Sequence, residues 1–220
     1  MKVLHVILLF WLCCLAADTD AQVSIATDAA ILRNLNPHQK FWAFGQTVLG
    51  NFHISKKETG YAWLSYFTNG KFSNRLDAVA KDAVTSPQKI NYTIQSSLRY
   101  RQVSVGWKHY FKGSFDEENG WSIYSLAGFG LLFGKAENIF SQPIDSSRYF
   151  ISNPMGSGNF RRLTFDLGAG TEFPLGGDVY VYSELRSWLP TYGYPSPYLY
   201  SNSKIPSVLS VHAGLRVLMQ

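Results

Sequence analysis

The chain has 220 residues, 46% of them hydrophobic and 15% aromatic, with a formal charge of +5, which suits one domain behind a short leader. Its charges are scattered without a Lys/Arg cluster, which argues against a nucleic-acid partner, and beyond the N-terminus no apolar run approaches the roughly 20 residues of a transmembrane helix. The only two cysteines, Cys13 and Cys14, lie in that leader, so a processed chain has no disulfide, no catalytic thiolate and no Cys-metal site.

The leader comes first in chain order. Met1-Lys2 is followed by an apolar run to Ala17 and by Thr19-Asp20-Ala21. That is the pattern of a secretory signal peptide over residues 1–21, with cleavage after Ala21 or Ala17. Losing Lys2, Asp18 and Asp20 leaves 19 basic and 13 acidic residues, a net charge of +6. In an exported protein this excess suggests contact with anionic lipid or lipopolysaccharide phosphates.

Eight stretches alternate with the period of two expected of strands. They cover about 23–32, 41–54, 60–72, 98–111, 121–134, 162–173, 179–189 and 207–219. The first is the weakest, being short and flanked by Asp28 and Arg33. Connections 33–40, 73–97, 135–161 and 190–206 are long. Ser55–Thr59, Lys112–Gly120 and Pro174–Asp178 are short. Long and short connections therefore fall at opposite ends of an up-and-down sheet, as in transmembrane barrels with long outer loops and tight periplasmic turns.

The two faces decide the environment. Leu163, Phe165, Leu167, Ala169, Thr171 and Phe173 share one row, opposite Arg162, Thr164, Asp166, Gly168, Gly170 and Glu172. Val179, Val181, Leu185 and Leu189 likewise oppose Tyr180, Tyr182, Glu184, Arg186 and Trp188. A face mixing Gly, Tyr and Trp with charges of both signs suits a crowded interior, where charges must be paired. The purely apolar face then meets lipid. The expectation is an all-β, eight-stranded antiparallel up-and-down transmembrane barrel over residues 22–220. Trp42, Phe72, Phe111, Trp121, Phe133 and Trp188 fall near strand ends, where interfacial aromatics are expected. A soluble lipocalin-like ligand-binding barrel is the competing architecture.

"WSIYSLAGFGLLFG", "LTFDLGAGTEFPLGGDVYVYSELR" and "SVHAGLRVLM" resemble the last four strands of the small eight-stranded outer-membrane β-barrels, the class that includes the outer-membrane protein A transmembrane domain. Over the whole processed chain the resemblance is greatest to small outer-membrane barrels of Bacteroidota. It implies a Gram-negative outer membrane location, outer-membrane lipid and lipopolysaccharide as surroundings, and insertion by the outer-membrane assembly machinery. The terminal strand departs from the family: Met219 followed by Gln220 stands where an aromatic residue usually closes the chain, which weakens the assembly signal.

The inward polar residues Lys108, Arg162, Asp166, Glu172, Glu184, Arg186, His212 and Arg216 are expected to form a structural network that fills the lumen, in preference to an ion or proton relay. Arg162 and Glu172 belong to opposite ends. Glu184 and Arg186 are expected to bond across strands and not with each other. With eight strands no open pore is expected. An enzyme acting on lipid A or phospholipid acyl chains would need a base beside a hydroxyl at the rim. His38 alone lies in an outer loop, whereas His53 and His109 fall at the periplasmic interface. "YFTNGKFSN" (66–74) is similar to a segment of lipid A deacylases, but Tyr66 replaces the required base. No catalytic, cofactor or metal site is assigned. Loop 190–206, with Tyr192, Tyr194, Tyr198 and Tyr200, is either a recognition surface or a rigid lid packed over the mouth, and loop 135–161 with Arg148-Tyr149-Phe150 has the same two readings. The expected function is that of a non-enzymatic outer-membrane protein, structural or interacting through its outer loops with an extracellular partner that the sequence does not name.

Overall fold

A computed structural model describes residues 22–190, 197–199 and 208–219; the proposed leader lies outside them. The strands are β1 (Val23–Asn34), β2 (Phe41–Ser55), β3 (Glu58–Phe67), β4 (Gly70–Ala80), β5 (Lys89–Lys112), β6 (Ser122–Phe140), β7 (Tyr149–Phe150), β8 (Gly156–Gly176), β9 (Val179–Pro190) and β10 (Val208–Met219). Eight of them close a ring in the order β3-β2-β1-β10-β9-β8-β6-β5, and β3 pairs with β5 to complete it. Every pairing is antiparallel. Closure satisfies the ladder of every barrel strand and leaves no open edge in the ring.

The two extra strands explain where the sequence reading departs from the structure. The stretch 60–72 is broken at Thr68-Asn69 into β3 and β4, and both pair with β5, β3 along Arg101–His109 and β4 along Lys89–Leu98. Residues 73–97 are consequently not a long loop but a hairpin rising above the ring. Residues 135–161 are also largely strand, since β6 continues to Phe140, β8 begins at Gly156 and β7 adds a short rung to β4. β1, expected to be the weakest strand, is complete, with all twelve residues paired on both sides.

The cause of the hidden hairpin is an inversion of polarity along single strands. On β5 the outward row reads Lys89, Asn91, Thr93, Gln95, Ser97, Arg99, Arg101 and then Val103, Val105, Trp107, His109, Phe111. The inward row reads Ile90, Tyr92, Ile94, Ser96, Leu98, Tyr100 and then Gln102, Ser104, Gly106, Lys108, Tyr110. Above Arg101 the strand is polar outside and largely apolar inside, as in water. Below Val103 it is apolar outside and polar inside. β6 inverts between Phe133 and Lys135, and β8 between Arg161 and Leu163. Because Phe133 pairs directly with both Arg101 and Arg161, the three inversions lie at one level of the wall. Above it Ala78, Tyr92, Ile94 and Tyr149 form a small core of their own, with Leu76, Ile90 and Phe140 packed on it.

Below that level the outward rows carry no Lys, Arg, Asp or Glu until Glu58 and Lys112 at the short-turn end. Phe44, Val48, Leu64, Val105, Phe129, Leu163, Leu185 and Val211 are each half-exposed there. Such a continuous apolar band is far beyond what a soluble surface shows, and it suits hydrocarbon. Trp42, Phe111, Trp121 and Phe133 face outward near its margins, whereas Phe72 and Trp188 turn inward: Phe72 stacks on Phe41, and Trp188 meets Phe67 edge-on inside the barrel.

Glycines make room for large inward side chains. A Cβ at Gly106 or Gly128 would lie 2.4 Å from the Tyr61 hydroxyl, so this paired couple forms the seat of the Tyr61 ring. That ring stacks on Trp63 at 4.5 Å. Gly128→Val is therefore expected to cost about 2 kcal/mol, as overpacking does, and to lower the urea midpoint in detergent micelles, whereas Gly50→Ala, on the roomy outer face, leaves it near wild type. The closed ring itself is expected to resist SDS without heating and to run at a shifted position until boiled. Identical mobility of boiled and unboiled samples would contradict a lipid-facing barrel.

Candidate functional site

The polar interior is the candidate site. Four acidic residues, Asp28, Asp166, Glu172 and Glu184, and four basic ones, Lys108, Arg162, Arg186 and Arg216, are buried among the described residues. The formal charge of the interior therefore closes to zero before its histidines are considered. Six groups form one chain of alternating sign, and His212 stands at its end. Arg216 Nη2 meets Glu172 Oε2 at 3.0 Å, and Glu172 Oε1 lies 3.4 Å from Lys108 Nζ. Lys108 is equally far from Glu184 Oε1, and Arg186 Nε donates to Glu184 Oε2 at 2.5 Å. Arg186 Nη2 reaches Asp28 Oδ2 at 3.5 Å, and His212 Nδ1 closes the series on the same oxygen at 3.1 Å.

Aromatic groups add to the coordination of this chain, although Asp28 Oδ1, Arg186 Nη1 and Arg216 Nε and Nη1 have no hydrogen-bond partner among the described residues. Tyr110 donates to Glu172, Tyr124 to Glu184 and Tyr182 to Asp28, at 3.2, 2.8 and 2.9 Å. Lys108 lies over the Tyr124 ring at 4.0 Å, Arg186 over Trp63 at 4.4 Å and Arg216 over Tyr180 at 4.1 Å. Each cation is thus held by carboxylates at one side and a ring face at another, the geometry that offsets its desolvation. The carboxylates have no room to approach water. The arrangement is a fixed electrostatic brace between β1, β5, β8, β9 and β10.

All eight residues expected in the lumen are inward and buried, but they do not all join one network. Asp166 is held by neutral donors: Gln102 Nε2 at 2.8 Å and Ser104 Oγ at 2.5 Å. Arg162 stands higher, 5.4 Å over the Phe160 ring near Tyr100 and Trp188, with Glu172 far below it at the other end. Glu184 and Arg186 bond each other directly along β9 as well as across the lumen, contrary to the purely cross-strand expectation. The concave inner face of a narrow barrel tips side chains two apart toward one another. His53 is also corrected. It is not interfacial but buried, bonded to Ser24 and Thr59, and stacked at 4.0 Å on Phe115, which enters from the turn below. His109 does sit on the outer wall at the short-turn end, beside Glu58.

Asp28 is the component that sequence reasoning missed. In the sequence it only flanks the least certain strand, yet it shares the buried row Ser24, Ala26, Asp28, Ala30 and Leu32. Its place in that row was the available signal. In the last outer loop, Tyr192, Tyr194 and Tyr200 lie outside the described residues. Tyr198 packs against the core at the barrel mouth, and its carbonyl accepts from Asn138 Nδ2 at 3.0 Å. Leu199 beside it is buried in the same cluster.

A ring of eight antiparallel strands, apolar outside and polar within, defines the class of small transmembrane β-barrels. Solved structures of that class superpose on this chain. Ail, the attachment invasion locus protein of Yersinia pestis, solved with the heparin analogue sucrose octasulfate, is 13% identical, with a TM-score of 0.51 over 91% of this chain and all of its own. Neisserial surface protein A is 12% identical, with a TM-score of 0.52 over 89% of this chain and 96% of its own. A major outer membrane protein of Thermus thermophilus is 9% identical, with a TM-score of 0.50 over 90% and 99%. No protein-family model matches the chain, and no curated protein sequence does. The likeness is one of fold: the chain has the eight-stranded barrel of outer-membrane proteins.

Removing Glu184 leaves Lys108 and Arg186 without their shared partner, so Glu184→Leu is expected to destabilise by about 3–5 kcal/mol. The double variant Glu184→Leu/Arg186→Leu should lose less than the sum of its single variants. Urea unfolding in micelles, arranged as a double-mutant cycle, measures that coupling, and strict additivity would show that the brace is not a unit.

Proposed function

We propose that this is a non-enzymatic outer-membrane protein whose barrel is an anchor and whose contact surface is the sheet raised above it. The observation that carries the reading is the continuation of β5, β6 and β8 past the polarity inversion, together with β4 and β7, as a sheet with its own small core. A loop that merely closed a hairpin would need no such core. This sheet leaves Val79 and Phe150, directly paired across β4 and β7, half-exposed or more, with Lys81 5.6 Å over the Phe150 ring. Val84 and Met155 stand out nearby. Exposed aromatic and aliphatic groups rimmed by charge mark contact surfaces. The buried inward side chains among the described residues support the same reading over that of an open channel. On this reading the leader is a signal peptide, the surroundings are outer-membrane lipid, and the assembly machinery inserts the chain.

The enzymatic alternative has one specific observation behind it. Asp28, His212 and Ser210 stand in the order of an acid–base–hydroxyl relay, with His212 Nδ1 3.1 Å from Asp28 and its Nε2 2.9 Å from Ser210 Oγ. Ser210 is only 1% exposed, however, and Oγ also faces the Arg186 carbonyl at 3.4 Å. No acyl carbonyl can reach it, so the geometry favours a structural role. Ser210→Ala should leave the lipid A and phospholipid mass spectra of cells unchanged. An altered spectrum, restored by the wild-type gene, would favour the enzyme.

Orientation is tested by brief trypsin treatment of intact cells. Cleavage after Lys81 or Lys89, in the raised hairpin, is expected, with the Lys56-Lys57 turn at the opposite end untouched. The reverse pattern would turn the molecule over and remove the proposed contact surface.

A further inference from the structure

At the level where β5, β6 and β8 invert their polarity, the outer wall carries four cations. Arg99 and Arg101 project from β5, Lys135 from β6 and Arg161 from β8. The register places Arg99 beside Lys135, and Lys135 beside Asn159. It places Arg101 and Arg161 on either side of Phe133. With neighbouring strands about 4.8 Å apart, these groups ring a single cleft, of about 270 Å³, that no carboxylate lines. Glu137 lies two residues beyond Lys135 and borders the next hollow up, beside Lys71.

Like charges directly opposite on neighbouring strands repel, and among the described residues no ion pair connects any of the four to a carboxylate. Apart from one another, the cations contact neutral groups: Arg99 Nε donates to Asn69 Oδ1 at 2.7 Å, Arg101 lies 5.6 Å over Tyr66, and Arg161 lies 5.9 Å over Phe133. The interior of the same barrel balances four acids against four bases, so an unbalanced quartet on its wall stands out. Immediately below, the outward rows turn to Val103, Leu131 and Leu163, all exposed. A ligand that fits must therefore be anionic at the level of the arginines and greasy below it.

We infer that this cleft binds the phosphate groups of a phosphorylated lipid of the outer leaflet, with its acyl chains lying down the apolar wall past Phe133. The inference rests on the outer-membrane reading proposed above and adds the site to it. Arg101 and Arg161 supply planar bidentate donors suited to phosphate oxygens. Lys135 adds a point charge between them and Arg99. Phe133 at the floor separates the ionic contacts from the chains, which keeps the phosphates at the interface.

The test uses the processed protein refolded in nanodiscs that contain bis-phosphorylated lipid A, monophosphoryl lipid A or zwitterionic phospholipid alone, with lipid retained through detergent exchange measured by native mass spectrometry. Wild type and Lys112→Gln, a cation at the opposite rim, should retain the bis-phosphorylated lipid. Arg101→Gln/Arg161→Gln should retain at least about tenfold less, since each lost charge-assisted contact is worth about that much or more. Monophosphoryl lipid A should fall between these. Equal retention by the double variant, while it still shows the unheated gel shift, overturns the site. Inorganic pyrophosphate binding as tightly as the lipid would give the cleft to a soluble phosphate and overturn the lipid assignment. Absence of the gel shift in the wild type would instead sink the membrane reading, and the site with it.

Discussion

A narrow cylinder with a hydrocarbon-facing wall has nowhere to put a charge except inside, and inside there is too little room for water to solvate it. Every carboxylate placed there must meet a cation or a set of donors within the lumen. The series Arg216, Glu172, Lys108, Glu184, Arg186, Asp28 and His212 meets that demand in sequence, each acid lying between two bases. The rest of the interior is arranged around it. Tyrosines point their hydroxyls at the carboxylates, rings lie under the cations, Gly170 clears space for Tyr124, and Gly106 and Gly128 clear it for Tyr61, which stacks on Trp63. The brace also joins β5 to β8 and β9, neither of which neighbours it in the ring, since β6 lies between β5 and β8 and both β6 and β8 lie between β5 and β9. A cylinder held only by its ladder could flatten; one cross-tied through its axis resists that.

The same solvent argument, applied at the other end of the strands, accounts for the raised sheet. Where β5, β6 and β8 leave the lipid, water returns to their outer face and the hydrophobic effect changes sign across the wall. The residues follow. Ile94 and Leu98 take the inner face, while Lys89, Gln95 and Arg99 take the outer one. A strand can thus be continuous through the boundary although its pattern reverses, and the boundary is written on it as the point of reversal.

These reversals explain what was legible in the chain. Within the lipid-facing segments, the rows of Leu163 to Phe173 and Arg162 to Glu172 could be separated by period two alone, and their environments followed from composition. The segment 73–97 is hidden because outward Lys71, Ser73, Arg75 and Asp77 alternate with an inner row of Phe72, Asn74, Leu76 and Ala78, the opposite sense to the lipid-facing strands, and beside their pattern it reads as a loop. Asp28 was discounted for a related reason: a charge in an otherwise apolar strand looks like an interruption until its row is known to face the lumen. The partners inside were beyond reach from sequence. Contacts such as Lys108 with Glu184 cross the lumen between strands that are not neighbours, and no spacing along the chain encodes that distance. The direct bond of Glu184 to Arg186 depends on wall curvature, which a flat picture of alternating side chains does not contain.

The balance of charge inside the barrel gives meaning to its absence outside. In the lumen each carboxylate meets a cation or, at Asp166, neutral donors, and the chain supplies four acids for four bases there. On the outer wall the same chain sets Arg99, Arg101, Lys135 and Arg161 together without an acid. Water can screen exposed cations, so stability alone does not require a counter-charge. Nothing in stability calls for gathering them, though, and cross-strand repulsion works against it. Their coincidence with the level of polarity reversal on three successive strands supplies the missing reason: that level is where the headgroups of a bilayer lie, and a phosphate there would complete outside the pairing that the lumen completes within.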